Sequence, residues 1–218
     1  MAAMETKTQK IPIKKPAASI IVFADYACPL SYIGVNRLAQ LHKVLDLAVD
    51  WRFIESRPQT PPQGIPTAAL GMPPDDWRTL MDNLARMAER EKLPFREPVI
   101  ICNSRKAILL SEAARTHQAP LFGALHARLF TAYFGEGRDI GDEAQLWAIA
   151  SEVGVTREFF DWALKEPLVA QRLSDNQATA QRIGLKATPA FMIGDQVLEG
   201  PVPTAMLAET LVEIHEPH

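Results

Sequence analysis

Residues 19–34 read Ser-Ile-Ile-Val-Phe-Ala-Asp-Tyr-Ala-Cys-Pro-Leu-Ser-Tyr-Ile-Gly, and this stretch decides the fold. Its beginning, Ser19 to Phe23, is a β-branched and apolar run that is typical of a buried strand in a parallel or mixed sheet. A helix follows, because proline is favoured at the first helical position and Leu30 and Ile33 begin an apolar pattern at helical spacing. Cys28 therefore stands at the N-terminus of a helix, directly after a strand.

The chain on either side of this stretch completes a small mixed sheet. The first helix is predicted to run to about Asp46, and Val49, Trp51 and Phe53 then alternate as a second strand does. Strand, helix and strand form one βαβ unit, which is almost always right-handed. Near the C-terminus, two short apolar segments flank a two-residue turn that suits a β-hairpin, and a last amphipathic helix follows; the predicted strands are 190–193 and 196–199.

Between these two parts the pattern changes. The segment from Arg57 to Pro74 contains six prolines and is predicted to be a long loop. Beyond it, from Trp77 to Ile183, the period is helical almost throughout. The order predicts an α/β protein with a thioredoxin fold, βαβ followed by ββα, interrupted by an all-helical insertion domain. The predicted boundaries are a discontinuous thioredoxin-like domain of residues 17–60 and 184–216, an insertion of residues 75–183 and a flexible tail of residues 1–16.

The composition excludes several classes of protein. The 218 residues include 23 Lys and Arg against 26 Asp and Glu, so no charge bias favours nucleic acid as a partner. No stretch reaches transmembrane length, so no membrane partner is predicted. Two cysteines without an export signal argue against a disulfide framework and favour the cytoplasm. The five histidines show no metal-ligand spacing, and no metal site is predicted.

Cys28 is the candidate nucleophile. The partial positive charge of a helix N-terminus stabilises a thiolate, which predicts a lowered pKa for this thiol. Ser31 could donate its hydroxyl hydrogen to the Cys28 thiolate or to a bound sulfur, or it could cap the helix. Asp25 could relay protons from the strand end, or it could be a turn residue. The alternative for Cys28 itself is a buried structural cysteine.

The segment from Phe23 to Gly34 resembles the active-site segment of the DsbA family, especially its FrnE-like branch, in which a strand leads into a Cys-Pro-x-Cys-Tyr helix start. Further segments are similar to family segments and stand in the family's order: Asn103-Ser104, Leu129–Phe134 with Glu136–Ile140, and Ala187–Phe191. The likeness runs from about Ala18 to Leu211. It also connects the chain to the 2-hydroxychromene-2-carboxylate isomerases and the kappa-class glutathione transferases, which are sibling branches.

This resemblance implies a set of site residues around Cys28. Thr188-Pro189 matches the family's cis-proline loop, which lies beside the active-site sulfur and offers the backbone groups of Thr188 to an extended substrate. Pro189 could otherwise simply open a strand. The substrate-binding residues implied by the resemblance are Pro29, Leu30, Tyr32, Asn103, Thr188 and Pro189.

The sequence departs from the redox members of the family at one position. Ser31 stands where they carry a second cysteine, so Cys28 has no helix neighbour with which to form a disulfide. Cys102 could act as a resolving cysteine from across the cleft, which would require its Cα to lie within roughly 7 Å of that of Cys28. Because Cys102 follows an apolar run, a buried filler is the more typical role.

Three functions stay open at this stage. The first hypothesis is a cytoplasmic thiol–disulfide oxidoreductase or isomerase that uses Cys28 in a monothiol mechanism. It would have no tightly bound cofactor, glutathione as a co-substrate, and a disulfide-containing protein or a small-molecule thiol as its substrate. The second is a glutathione-dependent isomerase or transferase acting on a small aromatic or polyketide-like molecule. The third is a thioredoxin-fold module that binds peptides without catalysis. A homodimer is compatible with all three.

Overall fold

The computed structural model describes residues 18–215, so the predicted tail of residues 1–16 lies outside the described part of the chain. The elements follow in the order β1 (Ala18–Ala24), α1 (Pro29–His42), β2 (Leu47–Phe53), β3 (Ile65–Pro66), α2 (Pro74–Arg90), β4 (Ile100–Ile101), α3 (Arg105–His117), α4 (Ala119–Phe130), α5 (Glu143–Ser151), α6 (Arg157–Ala163), α7 (Pro167–Arg182), β5 (Ala190–Ile193), β6 (Gln196–Glu199) and α8 (Thr204–His215). A π-helical turn, Thr131–Gly135, continues α4.

The main sheet has four strands in the order β2-β1-β5-β6. β1 and β2 are parallel, whereas β5 is antiparallel to both β1 and β6. Because β1 lies between two strands and is covered by helices, Ile20 and Val22 are almost fully buried, as the apolar run predicts. β2 is an edge strand. The predicted thioredoxin fold, βαβ followed by ββα with a helical insertion, is confirmed.

The helical prediction for the insertion is also confirmed, with α2 to α7 close to the expected positions. Gly154 and Gly184 follow α5 and α7 with φ of 89° and 73°, the left-handed conformation that glycine adopts at helix ends. One connection is absent from the sequence prediction. β3 in the proline-rich loop pairs with β4 and ties that loop to the insertion. Strands of two residues, one of them a proline, are too short to give a periodic signal.

The insertion and the sheet share one continuous core. Tyr26, just after β1, is fully buried and stacks on Phe53 of β2 at 4.9 Å between ring centroids. Its ring also packs on Phe130 of α4 at 4.8 Å. Helices and sheet are therefore fixed relative to each other by aromatic contacts directly before the Cys28 turn. None of the helices within residues 18–215 is long and apolar enough to cross a membrane.

A buried polar cluster joins the sheet to two insertion helices. Glu112 of α3 is fully buried and accepts hydrogen bonds from Arg115 and from the Asn176 amide of α7. The same amide nitrogen of Asn176 donates to the carbonyl of Phe53 at 3.2 Å. Since a buried carboxylate is tolerated only while its partners satisfy it, Asn176 should be important for stability.

We expect Asn176→Ala to lower the free energy of unfolding by about 1–3 kcal/mol, because it leaves buried acceptors on Glu112 and Phe53 without their donor. Urea denaturation followed by circular dichroism measures this. Asn83→Ala is the control, since Asn83 is exposed and bonds only Arg86 in its own helix, and it should change stability by less than about 0.5 kcal/mol. Equal losses in the two variants would contradict the role given to Asn176.

Candidate active site

Cys28 is the N-cap residue of α1, with the extended backbone conformation typical of that position, and Pro29 opens the helix. The Cys28 N–H donates to the carbonyl of Asp25 at 3.1 Å, which closes the turn after β1. The residue as a whole is half-buried. The predicted position of Cys28 at the mouth of a helix is confirmed.

The loop before β5 lies against this cysteine. The Thr188–Pro189 peptide bond is cis, and the Cys28 thiol donates to the Thr188 carbonyl with a sulfur–oxygen distance of 3.2 Å. The Thr188 hydroxyl is buried and has no hydrogen-bond partner within the described part of the chain. The structure thus brings Cys28, Thr188 and Pro189 together across 160 positions of sequence, as the resemblance implies.

Gly34 sets the distance between α1 and this loop, a role that the sequence prediction missed. A Cβ atom on Gly34 would lie 2.6 Å from Cγ of Pro189 and 3.2 Å from Cζ of Phe191. Both distances are below ordinary van der Waals contact, so only glycine lets α1 pack this closely on the proline. The available signal was a glycine inside a helix, which costs about 1 kcal/mol relative to alanine and so calls for a packing reason.

Ser31 lies one helical turn after Cys28 and is fully buried. Its hydroxyl oxygen accepts a hydrogen bond from the backbone N–H of Asp25 at 3.3 Å. Hydrogen bonding from Ser31 also acts to lower the pKa of the Cys28 thiol. Ser31 therefore both stabilises the turn between β1 and α1 and contacts the environment of the sulfur.

Asp25 takes the turn role rather than a position open to substrate. It is almost fully buried, and one carboxylate oxygen accepts from the Ala27 N–H at 2.9 Å, the pattern of an Asx turn. The other oxygen accepts from the Ser56 N–H at 2.8 Å and from the Ser56 hydroxyl. Asp25 thus connects the end of β1 to the segment after β2, and its proton-relay role stays a prediction.

The predicted lowering of the Cys28 pKa is wrong in this structure. Burial raises the pKa of the thiol, and the negative charge of Asp25 adds to the increase. The polar groups of Thr188 and Ser31 act to lower the pKa but do not outweigh the burial. A helix N-terminus supplies partial positive charge, and that effect does not compensate for the surrounding protein here. The resting residue is therefore a thiol at neutral pH.

The other implied substrate residues hold the site in place through packing. Tyr32 is buried, stacks on Phe134 at 5.5 Å between centroids and donates its hydroxyl hydrogen to the Pro94 carbonyl. Leu30 is half-buried in a cluster with Met81 and other residues of α2. Both residues therefore fix α1 against the insertion, and direct contact with substrate stays a prediction for them and for Pro29.

Asn103 and Cys102 lie just before α3. The Asn103 amide donates to the Thr60 carbonyl at 2.6 Å and its oxygen accepts from the Arg105 N–H at 3.0 Å, so it connects the proline-rich loop to the helix start. Cys102 is buried and forms no disulfide, and burial raises its pKa well above the ordinary value. These features favour the apolar-filler role for Cys102 over that of a resolving cysteine.

A thioredoxin sheet whose first helix begins at a Cys-Pro pair facing a cis Thr-Pro bond defines a thioredoxin-fold thiol protein. The chain belongs to the family described as the DSBA-like thioredoxin domain, whose model matches residues 19–212. The resemblance that its sequence motifs indicate is thereby confirmed.

Individual proteins are similar to this chain in sequence or in fold. The uncharacterised protein YwbO of Bacillus subtilis (strain 168) is 27% identical over 188 residues, which cover 83% of this chain and 89% of that protein. A probable DsbA oxidoreductase from Streptomyces coelicolor has a TM-score of 0.79 at 22% identity, covering 90% of this chain and 89% of its own. A 2-hydroxychromene-2-carboxylate isomerase has a TM-score of 0.70 at 19% identity, and the match covers 89% of this chain and 95% of the isomerase. The cytosolic disulfide reductase DsbM of Pseudomonas aeruginosa, solved with GSH, has a TM-score of 0.66 at 22% identity. The match covers 88% of this chain and 98% of DsbM.

The described residues hold no group of three or more His, Cys, Asp or Glu side chains arranged to bind a metal ion. Ser31 and Thr188 supply polar groups beside the Cys28 sulfur.

We expect Gly34→Ala to destabilise the fold by about 1–3 kcal/mol, because the added methyl group overlaps Pro189. The same change should slow the reaction of Cys28 with disulfides, since Thr188 is displaced from the sulfur. Thermal melts and reaction rates with oxidised glutathione measure the two effects. Gly123→Ala in α4 is the control, because no atom lies within 4 Å of its added Cβ and it should stabilise the helix by up to about 1 kcal/mol. If Gly34→Ala changed neither the melting temperature nor the reaction rate, Gly34 would not be needed for the packing of α1 on Pro189.

The raised pKa predicts the pH dependence of Cys28 alkylation. In a Cys102→Ala background, the rate with iodoacetamide should rise about tenfold per pH unit through neutrality, because only the thiolate reacts. Its midpoint should lie above that of a free cysteine, about 8.5. The same chain unfolded in urea should show the ordinary midpoint. A rate in the folded protein that levels off below pH 7 would show that the thiol is acidic after all.

Proposed function

We propose that this protein is a thiol–disulfide oxidoreductase or isomerase in which Cys28 is the single nucleophile. The observation that carries the proposal is the Cys28 thiol held 3.2 Å from the Thr188 carbonyl at the cis peptide bond, with Ser31 in place of a second cysteine. Two further facts support it. Both cysteines are free, and Cys102 is too deeply buried to exchange readily.

The reaction proceeds by thiol–disulfide exchange. The Cys28 thiolate attacks one sulfur of a substrate disulfide, so that a new S–S bond forms as the old one breaks. The other substrate sulfur leaves as a thiolate and takes up a proton. A glutathione thiolate then attacks the Cys28 sulfur, releases the second substrate thiol and leaves Cys28 joined to glutathione. A second glutathione frees Cys28 and departs as oxidised glutathione. The substrate disulfide thus gains two electrons and two protons from two glutathione molecules.

Thr188 and Ser31 assist the charge changes at sulfur. In the resting state the Cys28 S–H bond points to the Thr188 carbonyl, and this contact is lost when the proton leaves to solvent. The Thr188 hydroxyl and the polar groups of Ser31 can then donate hydrogen bonds to the thiolate that remains, which stabilises it. The otherwise unpaired Thr188 hydroxyl is well suited to this, because it has no competing partner among the described residues.

An outside thiol must complete the cycle, because the helix offers none. Cys28 is half-buried, whereas Cys102 is buried and its pKa is raised well above the ordinary value. Glutathione is therefore the expected co-substrate, and a disulfide-containing protein or small molecule is the expected substrate. The cytoplasm is the expected compartment, because a reduced thiol pool there regenerates Cys28.

Mass spectrometry after incubation with oxidised glutathione tests the proposal in a Cys102→Ala background. Cys28 should gain one glutathione, and excess reduced glutathione should remove it. If glutathione instead binds without a covalent adduct, the glutathione-dependent isomerase is favoured. If extended peptides bind as well after Cys28→Ala as before, the non-catalytic module is favoured.

Ser31→Cys should convert the site to a dithiol. Because residue 31 is buried one turn from Cys28, the introduced thiol should attack the glutathione adduct, so that the adduct is replaced by an internal disulfide. Non-reducing peptide mapping distinguishes the two products. Ser31→Ala is the matched control and should keep the stable adduct. An adduct that persists on Ser31→Cys would show that residue 31 does not reach the Cys28 sulfur.

A further inference from the structure

A cavity of about 610 Å³ lies between α1, β2 and α4, and the proposed redox reaction does not use it. Its lining includes Tyr32, Asn36, Trp51, Phe122 and His126, but not Cys28, Thr188 or Pro189. It runs along the flank of α1 that faces the edge strand, whereas Gly34 on another flank contacts the proline loop. The volume is in the range of small-molecule sites, about 300–1,000 Å³.

Part of the cavity wall is aromatic. The ring of His126 lies 4.4 Å from that of Trp51 and 5.4 Å from that of Phe122, measured between centroids. Phe130 lies on the far side of His126 at 5.3 Å. Aromatic faces arranged in this way favour a flat ligand that can stack or pack edge-on against them.

Two residues of this lining each have one side-chain nitrogen without a hydrogen-bond partner among the described residues. Nε2 of His126 is buried and unbonded within the described residues, and the whole residue is only 7% exposed. The orientation of its ring is fixed from behind, because Nδ1 lies 2.8 Å from the hydroxyl of buried Tyr26. Nδ2 of Asn36 is likewise buried and has no bond in the described structure. Since an unsatisfied buried polar group costs about 1–3 kcal/mol, a ligand that bonds these atoms recovers that cost.

The charges around the cavity favour an uncharged ligand. Burial lowers the pKa of His126 to about 3, so its imidazole is neutral at physiological pH. The guanidinium of Arg115, which also lines the cavity, is paired with the buried carboxylate of Glu112 at 2.7 Å. His42 lies at the exposed rim, so the interior itself presents no unpaired charge among the lining residues.

We infer that this cavity binds an uncharged, flat aromatic molecule that carries a hydroxyl group, at a site separate from the Cys28 thiol. A hydroxyl both donates and accepts, so it matches an imidazole nitrogen and an amide N–H at once. Trp51 and Phe122 contact the rings, and His126 and Asn36 bind the oxygen.

Isothermal titration calorimetry with three probes tests this inference. We expect 2-naphthol to bind the intact protein about fivefold or more tightly than naphthalene, because the hydroxyl adds a hydrogen bond in a buried site. The anion 2-naphthoate should bind at least about tenfold more weakly than 2-naphthol, because its charge would be buried without a partner. No detectable binding of 2-naphthol up to its solubility limit would overturn the inference.

Variants of α4 locate the binding site. Gly123 lines the cavity and has no atom within 4 Å of an added Cβ, so Gly123→Leu can fill the space without a clash. It should weaken 2-naphthol binding at least about tenfold, because it removes ligand volume from an apolar pocket. Ala124→Leu is the control, since the neighbouring Ala124 is exposed and does not line the cavity, and it should bind as the wild type does. Unchanged binding in Gly123→Leu would overturn the inference.

Two further measurements test the polar contacts and the separation from the thiol. Asn36→Leu and His126→Phe should each reduce the preference for 2-naphthol over naphthalene to within about twofold, since one hydrogen bond is lost. An undiminished preference in both would remove these residues from the site. Binding should persist after Cys28 has been alkylated with iodoacetamide, and its loss would show that the cavity is part of the thiol site.

Discussion

The close packing of α1 against the Thr188–Pro189 loop is the constraint on which the rest of the site depends. Gly34 permits it, because any side chain there would overlap Pro189 and Phe191. The contact holds the N-terminus of α1, and with it the Cys28 sulfur, within hydrogen-bond distance of the Thr188 carbonyl. The helical insertion supports the same arrangement from the other side, through Tyr32 and the rings that stack on it. The position of the Cys28 sulfur is thus a property of packing as well as of sequence motif.

Much of this architecture could be predicted from local patterns. The β-hairpin around Gly194 was located to the residue, because a two-residue turn between apolar segments is a strong local signal. The position of Cys28 followed from a strand end and a proline. The approach of Thr188 required the family resemblance, since no local pattern connects residues 160 positions apart. Gly34 was missed because a helical pattern says nothing about what packs against it.

The pKa of Cys28 shows why site chemistry is harder to predict than site position. Sequence places the sulfur at a helix N-terminus, where a local rule predicts an acidic thiol. The pKa depends instead on how deeply protein buries the sulfur and on the charge of Asp25. Both are set by the tertiary structure. The cavity beside α1 was equally hidden, because Asn36 and His126 are ordinary helix residues until the fold leaves Nδ2 of Asn36 and Nε2 of His126 without a partner among residues 18–215.

The position of β2 at the edge of the sheet also bears on how copies of this chain meet. An edge strand presents unpaired backbone groups to any other strand, which makes it a template for aggregation. In β2 the apolar residues that face the core alternate with Asp50 and Arg52, which pair with each other at 2.9 Å. A strand from a second copy that paired with this edge would lie beside the Asp50–Arg52 ion pair. The charged pair on the strand that borders the cavity therefore disfavours edge-to-edge pairing of two copies at this strand.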